Sequence, residues 1–215
     1  MTLRLNGTTG YVELEAPATA GSNTLVLPTG NGSADQALVT NGSGTLSFAD
    51  RGRMVLETAK AWNWNGLTNN AVIDFPNIPS WAKRITVMFQ GVSTSSTSRW
   101  QIQLGTGAGP TFTTSGYIGY SFNTSTTTVA GGSITSGVPI SNSPLAAGNY
   151  SGIATIATLG SNSWAVTSYL GGDNNQGTGG GGSVSLGAVL TAVRITTVNG
   201  TDTFDAGSIN IMYEG

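Results

Sequence analysis

The chain contains no cysteine and no histidine. The first absence excludes disulfides and thiolate zinc sites and leaves the redox compartment unmarked. The second removes the commonest general base and a frequent metal ligand. Charge is scarce too: of 215 residues only 8 are Lys or Arg and 10 are Asp or Glu, for a net charge of −2, where an ordinary domain is about 25% charged. Such a balance offers no footprint for nucleic acid or anionic lipid. No stretch approaches the roughly 20 apolar residues that span a bilayer, so membrane insertion is not expected. Met1-Thr-Leu-Arg-Leu5 lacks the apolar run of a secretory signal. No glycine-rich stretch leads into Lys-Ser/Thr, so a P-loop is absent.

What fills the chain instead is Gly, Ser, Thr and Asn, which favour turns and strand edges over long helices. Low charge without clustered Pro argues against a solvated disordered chain. The clearest element is Trp81-Ala-Lys-Arg-Ile-Thr-Val-Met-Phe-Gln-Gly-Val92. Ile85, Val87 and Phe89 alternate with Arg84, Thr86, Met88 and Gln90, the period of a strand with one face in a core. Arg194-Ile-Thr-Thr-Val198 and Ser208-Ile-Asn-Ile-Met-Tyr213 repeat that pattern. Ile85, Val87, Phe89, Ile195, Ile209 and Ile211 are the expected core.

Strands are expected at 54–58, 72–75, 84–92, 100–104, 117–122, 153–158, 164–169, 186–188, 193–198 and 208–213. Short strands at this density predict an all-β, jelly-roll-like β-sandwich over residues 51–215. Pro144-Leu-Ala-Ala147 could make a single helical turn. Two glycine-rich stretches, Gly105–Pro110 and Gly171–Gly182, are expected as mobile loops at the ends of the sandwich. Deleting Gly179–Gly182 should then hardly alter stability.

Residues 1–50 differ. Short strands are expected at 3–5, 11–14, 24–27, 37–39 and 45–48, with Asn6-Gly7, Asn31-Gly32 and Asn41-Gly42 at turns that want positive φ. The segment holds four acidic residues and one basic one, and its apolar inventory is too small to offset its own ordering entropy. It must pack on the following domain, on copies of itself, or on another protein. Arg51-Gly-Arg53 is the expected hinge.

Candidate site residues fall in two places. Trp62 and Trp64 share a strand face at i, i+2 spacing. They could stack on sugar rings or pack into a core or subunit interface. Asp173, Asn174, Asn175 and Gln176 form the polar cluster of the longest glycine stretch and could hydrogen-bond a saccharide or simply cap a turn. A calcium loop would need a carboxylate where Val184 stands, so no metal is assigned. Two carboxylate pairs stand close in sequence. Asp202 and Asp205 follow Asn199-Gly200 and read as turn caps rather than a glycosidase pair; Glu13 and Glu15 are the other. Neither catalysis nor a cofactor is expected. Asn-Gly-Ser/Thr at Asn6, Asn31, Asn41 and Asn199 matches the glycosylation pattern but is equally explained by the turns.

Residues 10–48, Gly-Tyr-Val-Glu-Leu-Glu-Ala-Pro-Ala-Thr-Ala-Gly-Ser-Asn-Thr-Leu-Val-Leu-Pro onward to Leu46-Ser-Phe48, resemble a module near the start of tail-fibre and other appendage proteins of tailed bacteriophages, marine cyanophages among them. Trp62-Asn-Trp-Asn-Gly66 with Ile78-Pro-Ser-Trp-Ala-Lys-Arg-Ile-Thr-Val-Met-Phe89, and the run from Val193 to Tyr213, are similar to a C-terminal fibre domain. Residues 105–190 fall outside the resemblance. It implies a homotrimeric virion protein, made in the host cytoplasm, with a distal sandwich that binds a host-surface glycan and with residues 1–50 attaching it to sister chains or other virion proteins. Many such fibres carry a long shaft, of which this chain has almost none. A compact fibre, a tail-tip protein, and a capsid decoration, cement or head-fibre protein without a ligand are therefore all expected readings, with a depolymerase the remotest.

Overall fold

The computed structural model describes residues 3–6, 8–14, 18–19, 21–22, 24–34, 36–50, 52–61, 70–125 and 129–215. These are all-β, with antiparallel sheets and no helix among the described residues. The chain divides into two compact units, Met1–Arg51 and Gly52–Gly215.

In the first unit, β1 (Leu3–Asn6) pairs with β2 (Tyr11–Leu14), and β3 (Gln36–Thr40) pairs with β4 (Leu46–Asp50). The Asn41 side chain sets the β3–β4 turn: its Oδ1 accepts the N–H groups of Ser43 (2.8 Å) and Thr45 (3.1 Å), with Gly42 at φ 84°. The strand expected over 24–27 shrinks to one bridge, between Val26 and Thr45. Its residues do not alternate, and Pro28 has no N–H to extend a ladder.

The second unit is a β-sandwich. Its larger sheet has nine strands. They are β5 (Met54–Leu56), β6 (Lys60–Ala61), β8 (Arg84–Thr94), β11 (Ile118–Thr124), β12 (Val129–Ile134), β14 (Tyr150–Gly160), β15 (Ser163–Gly172), β16 (Gly177–Ser185) and β18 (Phe204–Glu214). The order across it is β12-β11-β16-β15-β14-β8-β18-β5, with β6 also on β18. The smaller sheet has five strands: β7 (Val72–Pro76), β9 (Trp100–Thr106), β10 (Thr111–Phe112), β13 (Val138–Pro139) and β17 (Leu190–Thr197).

The alternation in β8 and β18 does what its period demands. Phe89 lies opposite Ile209 and Val87 opposite Ile211. The six expected core residues are all buried, none more than 4% exposed. All the buried apolar residues among those described come from the second unit.

Three expectations for the second unit need correction. Gly171–Gly182 is not a loop: only Asp173–Gln176 turn, and the remaining glycines complete β15 and build β16, which is paired on both sides. Residues 186–188 are not a strand but part of the β16–β17 connection, tied by Leu186 N–H to Asn162 O at 3.0 Å. Residues 144–147 make a turn, closed by Gly148 N–H to Leu145 O at 2.9 Å, not a helical segment. Strands β6, β10, β12 and β13 also escaped expectation, being short or rich in Gly and Ser.

The inward rows of the larger sheet explain β16. One row runs Ile211, Val87, Ala154, Ser168, Gly180, Ser121 across β18, β8, β14, β15, β16 and β11. Side-chain volume falls along it because β13 crosses closely at the far end. Ser168 Oγ donates to Ile140 O at 3.0 Å, and a Cβ on Gly180 would overlap the Pro139 carbonyl oxygen. Small residues here let the chain at Pro139 and Ile140 lie directly on the larger sheet.

Tyr117 ties the two sheets by accepting the Leu104 N–H on its hydroxyl at 2.8 Å. Burial pushes this phenol up to about 12, partly opposed by the accepted hydrogen bond. Tyr213 is also pushed up to about 12, by burial and by its hydrogen bond to Glu57. A phenol whose folded pKa is raised stabilises the fold fully below its ordinary value near 10 and loses that contribution as pH climbs through the folded value. The sandwich is therefore expected to weaken between about pH 10 and 12. In an ultraviolet titration of the folded protein, Tyr117→Phe should remove one late-ionising phenol.

Candidate functional site

Trp62 and Trp64 lie outside the described residues, as does Glu15. The cluster Asp173–Gln176 is described, and it caps the turn between β15 and β16. The Asp173 carboxylate accepts the Asn149 N–H at 3.0 Å and the Asn149 side-chain amide at 2.8 Å. These bonds, the side-chain one first, hold its pKa below the ordinary carboxylate value. Asn174 Nδ2 donates to Tyr150 Oη at 3.1 Å, and Tyr150 in turn donates to Gln176 Oε1 at 2.7 Å. Asp173, Asn174 and Gln176 thus spend hydrogen-bonding capacity on the fold, the latter two on a fully buried tyrosine. Asp173 and Asn175 are exposed, Asn175 at φ 59°. Among the described residues there is no group of three His, Cys, Asp or Glu side chains that could hold a metal.

The other carboxylates also serve the fold. Asp202 Oδ2 accepts the Ser98 N–H at 3.0 Å and its Oδ1 accepts from Asn199 Nδ2 at 2.6 Å, while Asp205 accepts from Ser93. Asp74 holds Arg194 through two bonds of 2.7 and 2.8 Å, with the guanidinium 4.0 Å from the centre of the Phe112 ring. A cleft of about 410 Å³ lies between the β7–β8 connection, the β14–β15 turn and the β16–β17 connection, lined by Ser80, Lys83, Asn162 and Trp164 among others. No carboxylate lines it.

The sequence reading missed the outward face of the larger sheet. A row there runs Gly131, Phe122, Gly179, Tyr169, Ile153, Met88 across β12, β11, β16, β15, β14 and β8. Glycine and aromatic residues alternate at its start, and the rings lie down onto the glycines. A Cβ on Gly179 would stand 3.2 Å from Phe122 Cζ, and one on Gly177 2.9 Å from Tyr169 Oη. The Tyr120 phenol occupies the space a side chain on Gly131 would need.

The rings stay open to solvent above. Tyr169 is 62% exposed and Tyr120 56%, with Ile153 and Ile118 beside them also exposed. Neither phenolic hydroxyl has a hydrogen-bond partner among the described residues. The five strands β12, β11, β16, β15 and β14 contain no charged residue. The signal available in sequence was the pairing of glycine with aromatic positions, but it becomes readable only once register is known. No protein-family model, no curated protein and no solved structure matches this chain.

Proposed function

We propose that this protein is a bacteriophage virion structural protein, a compact homotrimeric tail fibre or tail-tip protein whose sandwich binds a host-surface glycan. The observation that carries the reading is the outward face of the larger sheet: uncharged, ring-bearing and open over five strands. Solvent-facing sheet surfaces are ordinarily polar, and exposed apolar patches mark contact surfaces. The described carboxylates of the sandwich that hydrogen-bond are engaged by the fold, which favours binding over catalysis. Residues 1–50 serve attachment and trimerisation; Leu25, Leu27 and Leu38 stand exposed there, available to a sister chain or virion partner. Three weak sites at one tip raise effective affinity by roughly 10²–10⁴. The protein is made in the host cytoplasm and sits on the virion exterior.

A shortened chain beginning at Arg53 is expected to remain a folded β protein, to lose trimer mass in light scattering and to fail to enter virions. Normal incorporation would move attachment into the sandwich. An antibody against the protein should label the tail and block adsorption. Label on the capsid with adsorption unaffected would favour a decoration or head-fibre protein, and release of reducing sugar from host polysaccharide would make the protein a depolymerase.

A further inference from the structure

We infer that the glycine–aromatic platform of Tyr120, Phe122 and Tyr169 is a binding site for a neutral saccharide, seated across β11, β16 and β15. The inference rests on the glycan-binding reading and names the site and the ligand class. Four features point to it. The glycines of β12 and β16 let the rings lie on the sheet with exposed surface above, the arrangement that stacks on the apolar face of a pyranose. Phe122 and Tyr169 stand two strand spacings apart, about 10 Å, so the platform seats more than one sugar unit. The hydroxyls of Tyr120 and Tyr169, without a partner among the described residues, can donate to or accept from sugar hydroxyls, as can those of Thr167 on β15 and Thr155 on neighbouring β14.

The fourth feature is charge. No charged side chain belongs to the five strands, and Arg99, which packs on β12, lies against Gly132, the partner of the inward-facing Ser121. An anionic sugar on the outward platform would therefore lose hydration without a cation beneath it, which is unfavourable. A neutral one loses nothing comparable. A sister chain is the competing occupant. A buried protein interface is built round protruding anchors that fill pockets, whereas these rings lie flat beside unpaired phenols.

The test uses the full chain and, as probes, neutral oligosaccharides of hexoses and N-acetylhexosamines against their sialylated and uronic-acid counterparts, with affinity measured by calorimetry or ligand-observed NMR. Neutral probes should bind and acidic ones should not. Tyr120→Ala and Tyr169→Ala should each weaken binding about tenfold, and Tyr169→Phe, which keeps the ring, should weaken it less. Because both tyrosines are exposed, circular dichroism and the unfolding midpoint should not move.

Binding of neutral probes that is unchanged in the double alanine variant would overturn the site, and a preference for acidic probes would overturn the ligand class. Loss of oligomer mass in the double alanine variant would assign the face to a sister chain instead. Wild-type protein that blocks phage adsorption yet binds no neutral probe would sink this inference alone. Platform-dependent binding by a protein that virions do not carry would sink the virion reading alone.

Discussion

Trp100→Ala is expected to destabilise the sandwich by about 3–5 kcal/mol, among the largest effects of any single side-chain truncation in this chain. Trp100 is fully buried on β9. Phe89 of the opposite sheet stacks on it at 6.2 Å, and Tyr150 and Phe204 meet it edge-on at 5.6 and 5.7 Å. Its indole N–H donates to Thr94 Oγ1 at 3.1 Å. Truncation leaves a cavity among three rings that cannot collapse together, since each is fixed on a different strand, and it strips Thr94 of its donor. For a domain of this size the melting temperature should fall by about 10 °C. Urea unfolding of the full chain checks it, with Tyr169→Ala as the exposed aromatic control, expected within about 0.5 kcal/mol. A midpoint shift no larger than the control's would mean that Trp100 is not the centre of the core.

The partners of Trp100 show where sequence is legible. Ile85, Val87 and Phe89 alternate with polar residues, so period two alone gives β8 its inward face. Ile209 and Ile211 do the same for β18, and the pairing of the two follows. That logic assigns apolar residues to the inside, and it fails on β11. There Ser121 points inward while Ile118, Tyr120 and Phe122 point out. Hydrophobic pattern read alone would flip this strand, since a shift of one residue exchanges faces. On β15 the pattern holds for Trp164, Val166 and Leu170, which are buried, and breaks only at Ser168 and Tyr169. Both exceptions have a steric cause: the chain at Pro139 and Ile140 leaves no room for a large side chain beneath Ser121 and Ser168. That crossing is long-range information, absent from any local window.

The same crossing hid β16. Gly-Thr-Gly-Gly-Gly-Gly182 has the composition of a linker, and glycine ordinarily weakens a strand. Here each glycine has an adjacent obstacle or cover that the local sequence does not announce. Trp62 and Trp64 were legible as candidate ligand residues from type and spacing, and Asp173–Gln176 as a polar turn. Tyr120 and Tyr169 were not legible as a pair, because they come together only through β16.

Gly180→Val is therefore expected to cost about 3 kcal/mol, the upper part of the range for overpacking a close-packed interior, although it replaces glycine by a strong strand former. The added Cβ would overlap the Pro139 carbonyl oxygen. That obstacle is main chain, so no substitution of the side chain at position 139 relieves it. Moving β13 instead would break its pairing with β9 at Val138 and Ile102 and the Ser168 to Ile140 hydrogen bond. Gly171→Ala is the matched control: a Cβ there meets nothing within 4 Å, and the change should be neutral or stabilising by about 0.5 kcal/mol through the unfolded chain. Deleting Gly179–Gly182 outright should abolish cooperative unfolding, since it removes the middle of a strand paired with both β11 and β15. Chemical denaturation of the three variants decides the matter. If Gly180→Val unfolds with the wild-type midpoint, β13 does not lie on β16, and the steric reason given for the outward turn of Tyr120 and Tyr169 fails with it.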